Sequence, residues 1–270
     1  SAASDVYKRQ EMIQIFLKMK EQYIKTEMEY PLNFWLMLLS GVVTRFFGML
    51  VPFIICSNIK TIAGWKQEEI YLIMSFLYLS EGLCSVLFEG IWQLPSMVFN
   101  GNFDTILSRP VSPFYQVLCG GMGLHGIGVV LFGFISLNYS LIRLGIFRPA
   151  SMLMCLFFVL CGTIICMSSY LLTNSLVFWY DAGGRTSIPY MITEIGSYAR
   201  YPIMIYPKIL QFILLFVVPY AFIGMVPVMI LTGQHMLSLC AALVLISLFS
   251  LLGARFVFYR GILHYESMGM

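Results

Sequence analysis

The chain has 270 residues, of which 59% are hydrophobic and only 11% charged, with a formal net charge of +3 and a mean hydropathy of +0.84. A soluble domain of this length carries about a quarter of its residues as charged groups, so the composition excludes a water-soluble globular enzyme. The small positive excess is accounted for by loops near the inner face of a membrane and needs no nucleic-acid partner.

The first ten residues, SAASDVYKRQ, lack an initiator Met and have no apolar face. They are neither a signal peptide nor an anchor. They resemble translated sequencing-adapter sequence, so 1–10 is expected to be non-native and the authentic start to lie near Glu11. From 11 to 30 the pattern is that of an amphipathic interfacial helix. Met12, Phe16, Met19 and Tyr23 recur at helical spacing, with Lys18, Glu21, Gln22 and Lys25 interleaved. Lying on the membrane surface and packing on a partner are compatible roles for it. Pro31 then marks a break, because the residue before a proline is biased away from helical conformation.

Residues 31–270 form the membrane domain. Apolar runs at 32–56, 69–93, 116–140, 150–178, 209–232 and 236–258 each approach the roughly 20 residues that a spanning helix requires. The runs are continuous rather than alternating, which argues against a barrel. The expected fold is therefore all-α, with about six transmembrane helices. Lys and Arg set the orientation. With the N-terminus inside, inner segments hold Lys18, Lys20, Lys25, Arg109, Arg185, Arg200, Lys208, Arg255 and Arg260. Outer loops hold Lys60, Lys66, Arg143 and Arg148. Both termini are thus expected in the cytoplasm. All seven cysteines lie in or beside apolar runs, where a thiol packs as a small hydrophobe. No Cys or His spacing suggests a metal.

Between the second and third runs the chain turns polar, from Leu94 to Pro110. Phe103, Ile106 and Leu107 share one face of a short helix while Asp104 and Arg109 stay polar. Asn100 or Asn102 can cap it and Pro110 ends it. This segment resembles the coupling region of the type-2 permease subunits of ATP-binding-cassette (ABC) transporters. The resemblance rests on Gly101-x-Phe103-Asp104-x-x-Leu107-x-Arg109-Pro110. It rests also on Arg200-Tyr201-Pro202 with Pro207, Pro219 and Pro227 around the fifth run, and extends over about 11–270. It implies an exporter-like subunit of the bacterial cytoplasmic membrane, paired with a second permease, identical or homologous. Phe103, Asp104, Leu107, Arg109 and Pro110 would form a cytoplasmic coupling helix against a separate ATPase that binds ATP and Mg.

The chain has no G-x-x-x-x-G-K-[ST] of its own, and Gly120-Gly121-Met122-Gly123 lacks the lysine that cradles phosphate. No cofactor is expected in it. Gly121/Gly128 and Gly126/Gly133 recur every two turns and suit close helix packing. Arg45, Glu81, Glu89 and His125 are the ionisable groups expected at membrane depth, where an isolated charge costs several kcal/mol. Counting about 1.5 Å per residue puts Arg45 and Glu81 at similar depth on antiparallel neighbours, able to pair. His125 reads as a packing residue or a proton relay, and Glu89 as a group snorkelling to the headgroups. Pro219 and Pro227 interrupt the fifth run, giving either a kinked span or a short re-entrant helix from Gly224 to Gly233. Three functions compete on these residues: an ATP-driven exporter subunit, a proton-coupled secondary transporter using Glu81, Glu89 and His125, and a membrane scaffold or sensor.

Overall fold

A computed structural model describes residues 2–59, 61–180, 187–233 and 236–266. Lys60 and Arg185 lie outside the described residues, as does the side chain of Met12. The described residues are helical, with one isolated bridge between Ile62 and Trp65 and no strand. This is an all-α membrane protein, and among the described residues five helices are long and apolar enough to cross a bilayer, or six if one bent pair counts as a span.

An initial helix α1 (Ala2–Met28) is followed by a turn and α2 (Pro31–Asn58), where Pro31 stands at the first helical position. Its missing N–H costs nothing there. The next span, α3 (Gln67–Phe88), starts where the Glu69 carboxylate accepts a hydrogen bond from the Lys66 N–H at 2.8 Å. It tightens into a 3-10 turn at Glu89–Gln93 before the short helices α4 (Leu94–Phe99), α5 (Phe103–Leu107) and α6 (Pro113–Cys119). Two further spans follow, α7 (Leu124–Arg143) and α8 (Pro149–Ser175). Then come α9 (Ile188–Ser197), α10 (Lys208–Phe212), α11 (Met225–Leu231) and the last span, α12 (Met236–Ile262).

Span α3 is the centre. Of its most apolar window 78% is buried, against 17% for α2 and for α12, so α2 and α12 present their apolar faces outward. It packs on α7, α8 and α2, and α12 packs on α8. Glycines set the close approaches. A Cβ at Gly128 would overlap the Leu38 carbonyl oxygen of α2, and one at Gly41 the His125 carbonyl oxygen of α7. Gly126 and Gly133 turn instead to α3, against Ser85 and Leu79.

Two apolar runs depart from single helices. The run expected at 116–140 is split, because α6 ends at Cys119 and α7 begins only at Leu124. Gly90 and Gly120 cross backbone to backbone at the break, too close for any side chain on Gly90. The carbonyls freed there are taken by α1, with Tyr23 Oη donating to Gly120 O at 2.8 Å and Lys20 Nζ donating to Gly121 O. Phe16, Met19 and Tyr23 are half-buried, so the amphipathic face packs on the protein, with Lys20 buried in it.

Burial lowers the Lys20 ammonium from its ordinary 10.5 to about 8. The cost of holding that charge is fully present below pH 8. It is relieved as pH rises toward 10.5, where the folded state has released a proton that the unfolded chain still holds. The melting temperature of detergent-solubilised protein should therefore rise between pH 8 and about 10, and Lys20→Met should flatten that rise. An equal slope in both proteins would contradict the assignment.

The fifth run is broken as well. Lys208–Val217 and Tyr220–Leu231 meet at 77°. Residues 213–217 widen into a π turn, with Val218 N donating to Ile213 O at 2.8 Å, and Pro219 then has no N–H with which to continue. Pro227 does not contribute to the break. It occupies the first turn of α11, where the N–H groups have no intrahelical acceptor.

Candidate functional site

Near mid-bundle, Arg45 of α2 and Glu81 of α3 meet, with Nη2 3.0 Å from Oε2. A third charge joins them. Helix α9 continues into a 3-10 turn at Tyr198–Arg200, which carries Arg200 Nη2 to 3.7 Å from the same Glu81 oxygen. The Tyr78 ring receives both guanidiniums, at 5.0 Å from Arg45 and 5.7 Å from Arg200. The contacts to Glu81 are ionic and off hydrogen-bond alignment, and both arginine Nε groups are buried without a hydrogen-bond acceptor. Arg200 was expected among charges at the inner surface. Its place is in the bundle, because Gly196 lets α9 lie directly on the Tyr220 ring and the following turn enters at that depth.

A cleft of about 380 Å³ leads from this cluster toward the end of the bundle that carries α4, α5 and α9. Its inner wall is Arg45, Glu81 and Arg200, and its mouth is Glu89, His125 and Glu194. All four groups expected at membrane depth thus line one space. Ser85 Oγ donates to Glu89 Oε2 at 2.7 Å and lies 3.2 Å from His125 Nε2. Glu89 therefore faces this cleft instead of snorkelling, and His125 is on its exposed side rather than packed inside. Three rings complete the wall, with Trp92 5.1 Å from both Tyr170 and Tyr190. The sequence reading missed Trp92, Tyr170, Tyr190, Glu194 and the position of Arg200. The Arg200-Tyr201-Pro202 motif was the one available signal.

A second candidate surface is the 94–112 excursion. Phe103 is fully buried, its ring 5.3 Å from Phe178 and 5.1 Å from Tyr265, and Ile106 is buried beside it. Leu107 does not share their face and is 40% exposed, as are Arg109 and Pro110 in greater or lesser degree. Phe103, expected at a partner contact, is in this chain buried against its own bundle, where it serves as the anchor. The helix stops at Leu107, three residues before Pro110, and Asn102 caps it without a side-chain hydrogen bond. Gln116 Nε2 fastens the loop by donating to Ile106 O at 2.9 Å and Val111 O at 2.7 Å. Both ends of the described chain lie at this end of the bundle. Phe114 packs on Phe258 of α12 at 5.9 Å, and α1 reaches Gly121 nearby.

The family profile described as ABC-2 family transporter protein matches residues 39–269. Comparison with curated proteins gives no match, and comparison with solved structures gives none.

Proposed function

Because the chain belongs to the ABC-2 family of transporter proteins, we propose that it is the membrane-spanning permease subunit of an ATP-driven exporter. The family's members are membrane components that associate with an ABC ATPase. In this reading ATP and Mg bind that separate ATPase, and a second permease, identical or homologous, completes the pathway. The bilayer is the bacterial cytoplasmic membrane, with both chain ends on the cytoplasmic side. Closure of the ATPases on ATP pushes the α4–α6 excursion, and the bundle alternates the access of its cleft.

The observation that carries the docking assignment is the anchored excursion itself. Phe103 and Ile106 are held in the bundle while Leu107, Arg109 and Pro110 stay outside at the same end as α1. Such a segment transmits a push because its apolar side cannot slide independently of Phe178 and Tyr265, on which Phe103 packs. Asp104 stands on the same turn, half-buried.

Arg109→Ala and Leu107→Ala should leave membrane insertion unchanged and lower ATP-dependent transport at least tenfold. An interfacial charge left without its partner costs a few kcal/mol. Full transport with normal ATPase binding in both variants would overturn the docking assignment. A proton-coupled carrier remains the second reading, because Glu81, Glu89 and His125 share one cleft. Flux that survives ATP depletion and follows the pH gradient would favour it.

A further inference from the structure

We propose that the cleft between α3, α7, α8 and α9 is a binding site for a small organic monocation with an apolar or aromatic body. The inference rests on the permease reading only in calling that cation a transported ligand; the binding chemistry stands on the cleft itself.

Three features select the charge. Among the described residues its wall holds three carboxylates, Glu81, Glu89 and Glu194, and two guanidiniums, Arg45 and Arg200, a formal sum of −1 (2 − 3) beside His125. Both guanidiniums lie at the inner end, sharing Glu81 at 3.0 and 3.7 Å and lying over the Tyr78 ring, with their Nε groups lacking an acceptor. Lys20 bonds the Gly121 carbonyl and is not part of the lining, although its ammonium lies close enough to Glu89 to feel that carboxylate's charge. Glu81 offsets one of the two guanidiniums, so the inner end keeps one positive charge. The negative charges that meet an entering ligand are Glu89 and Glu194 at the mouth, with Lys20 near the first and Arg200 near the second.

Two further features select the body. Trp92, Tyr170 and Tyr190 form a continuous aromatic wall, with both tyrosines 5.1 Å from the tryptophan. A π face attracts a weakly hydrated cation such as a quaternary ammonium, more strongly where water is excluded. The volume of about 380 Å³ is that of a small-molecule pocket. An anion of the same size would meet the mouth carboxylates first, and its charge would gain nothing from the rings.

The test uses the purified full-length chain in detergent, without ATPase, and two small aromatic probes of opposite charge: benzyltrimethylammonium and benzoate. Isothermal titration should show saturable binding of benzyltrimethylammonium and none of benzoate at the same concentrations. Glu89→Gln and Tyr190→Ala should each weaken the cation about tenfold. Tyr190 is 66% exposed, so its truncation leaves the fold intact and keeps the test meaningful if Glu89→Gln should fail to fold. Comparable binding of benzoate would overturn the proposal. So would cation binding that Tyr190→Ala leaves unchanged, or the absence of cation binding to the wild-type chain. Failure of an ABC ATPase to associate with the chain in a separate co-purification, with cation binding intact, would overturn only the exporter reading.

Discussion

Glu81→Ala should remove most of the detergent-stable protein, at every pH. The carboxylate is 7% exposed and is the counter-ion of two guanidiniums that are themselves mostly buried. Deleting it leaves Arg45 and Arg200 facing each other across Tyr78 with no anion between them. Breaking a buried pair by removing one partner costs about 3–5 kcal/mol, and here one deletion orphans two partners. Glu81→Gln keeps the shape but not the charge and should behave nearly as badly. Arg200→Ala should be milder, since the shorter Arg45 contact survives. The readout is the yield of monodisperse protein after extraction, beside pH-dependent flux. Normal yield for Glu81→Gln with loss of pH-dependent flux would instead make Glu81 a proton carrier, and normal values for both would contradict either role.

Gly128→Val should be nearly as damaging, for a different reason. A Cβ there overlaps a backbone carbonyl oxygen of α2 rather than the tip of a flexible side chain, so α2 and α7 must separate. Overpacking ordinarily costs about 1–3 kcal/mol, and a backbone collision cannot be relieved by a rotamer change. Gly253→Val is the control, because nothing lies within 4 Å of a Cβ at that position in α12. Extraction yield should fall severalfold for the first and stay unchanged for the second. Equal behaviour would mean that the α2–α7 approach is looser than described.

Helix number and class were legible because hydropathy reports burial in lipid directly. The depth match of Arg45 and Glu81 was legible too, from residue counting on antiparallel helices. Arg200 was not. Nothing local to 188–200 says that a short helix after a polar loop turns back into the bundle, because that depends on Gly196 meeting Tyr220, a residue from the next segment. The break at Gly120–Gly123 was hidden for a related reason. The run is apolar throughout, so its hydropathy is the same whether the helix continues or stops, and the stop is imposed by Gly90 crossing from another element. Within 103–107 the periodicity grouped Leu107 with Phe103 and Ile106, but a five-residue helix is too short for that face to be held on one side.

The attachment of α1 alters what its removal would mean. Tyr23 and Lys20 supply the hydrogen bonds for the Gly120 and Gly121 carbonyls. Shortening the chain past Tyr23 would therefore leave two acceptors unsatisfied within another span's entry, each at a cost of about 1–3 kcal/mol. A transport defect in such a truncation would report a frayed α6–α7 junction beside the His125 and Glu89 mouth as much as a lost surface anchor. The Tyr23→Phe and Lys20→Met substitutions, which keep the helix on the membrane, are the way to separate a tether from a splint.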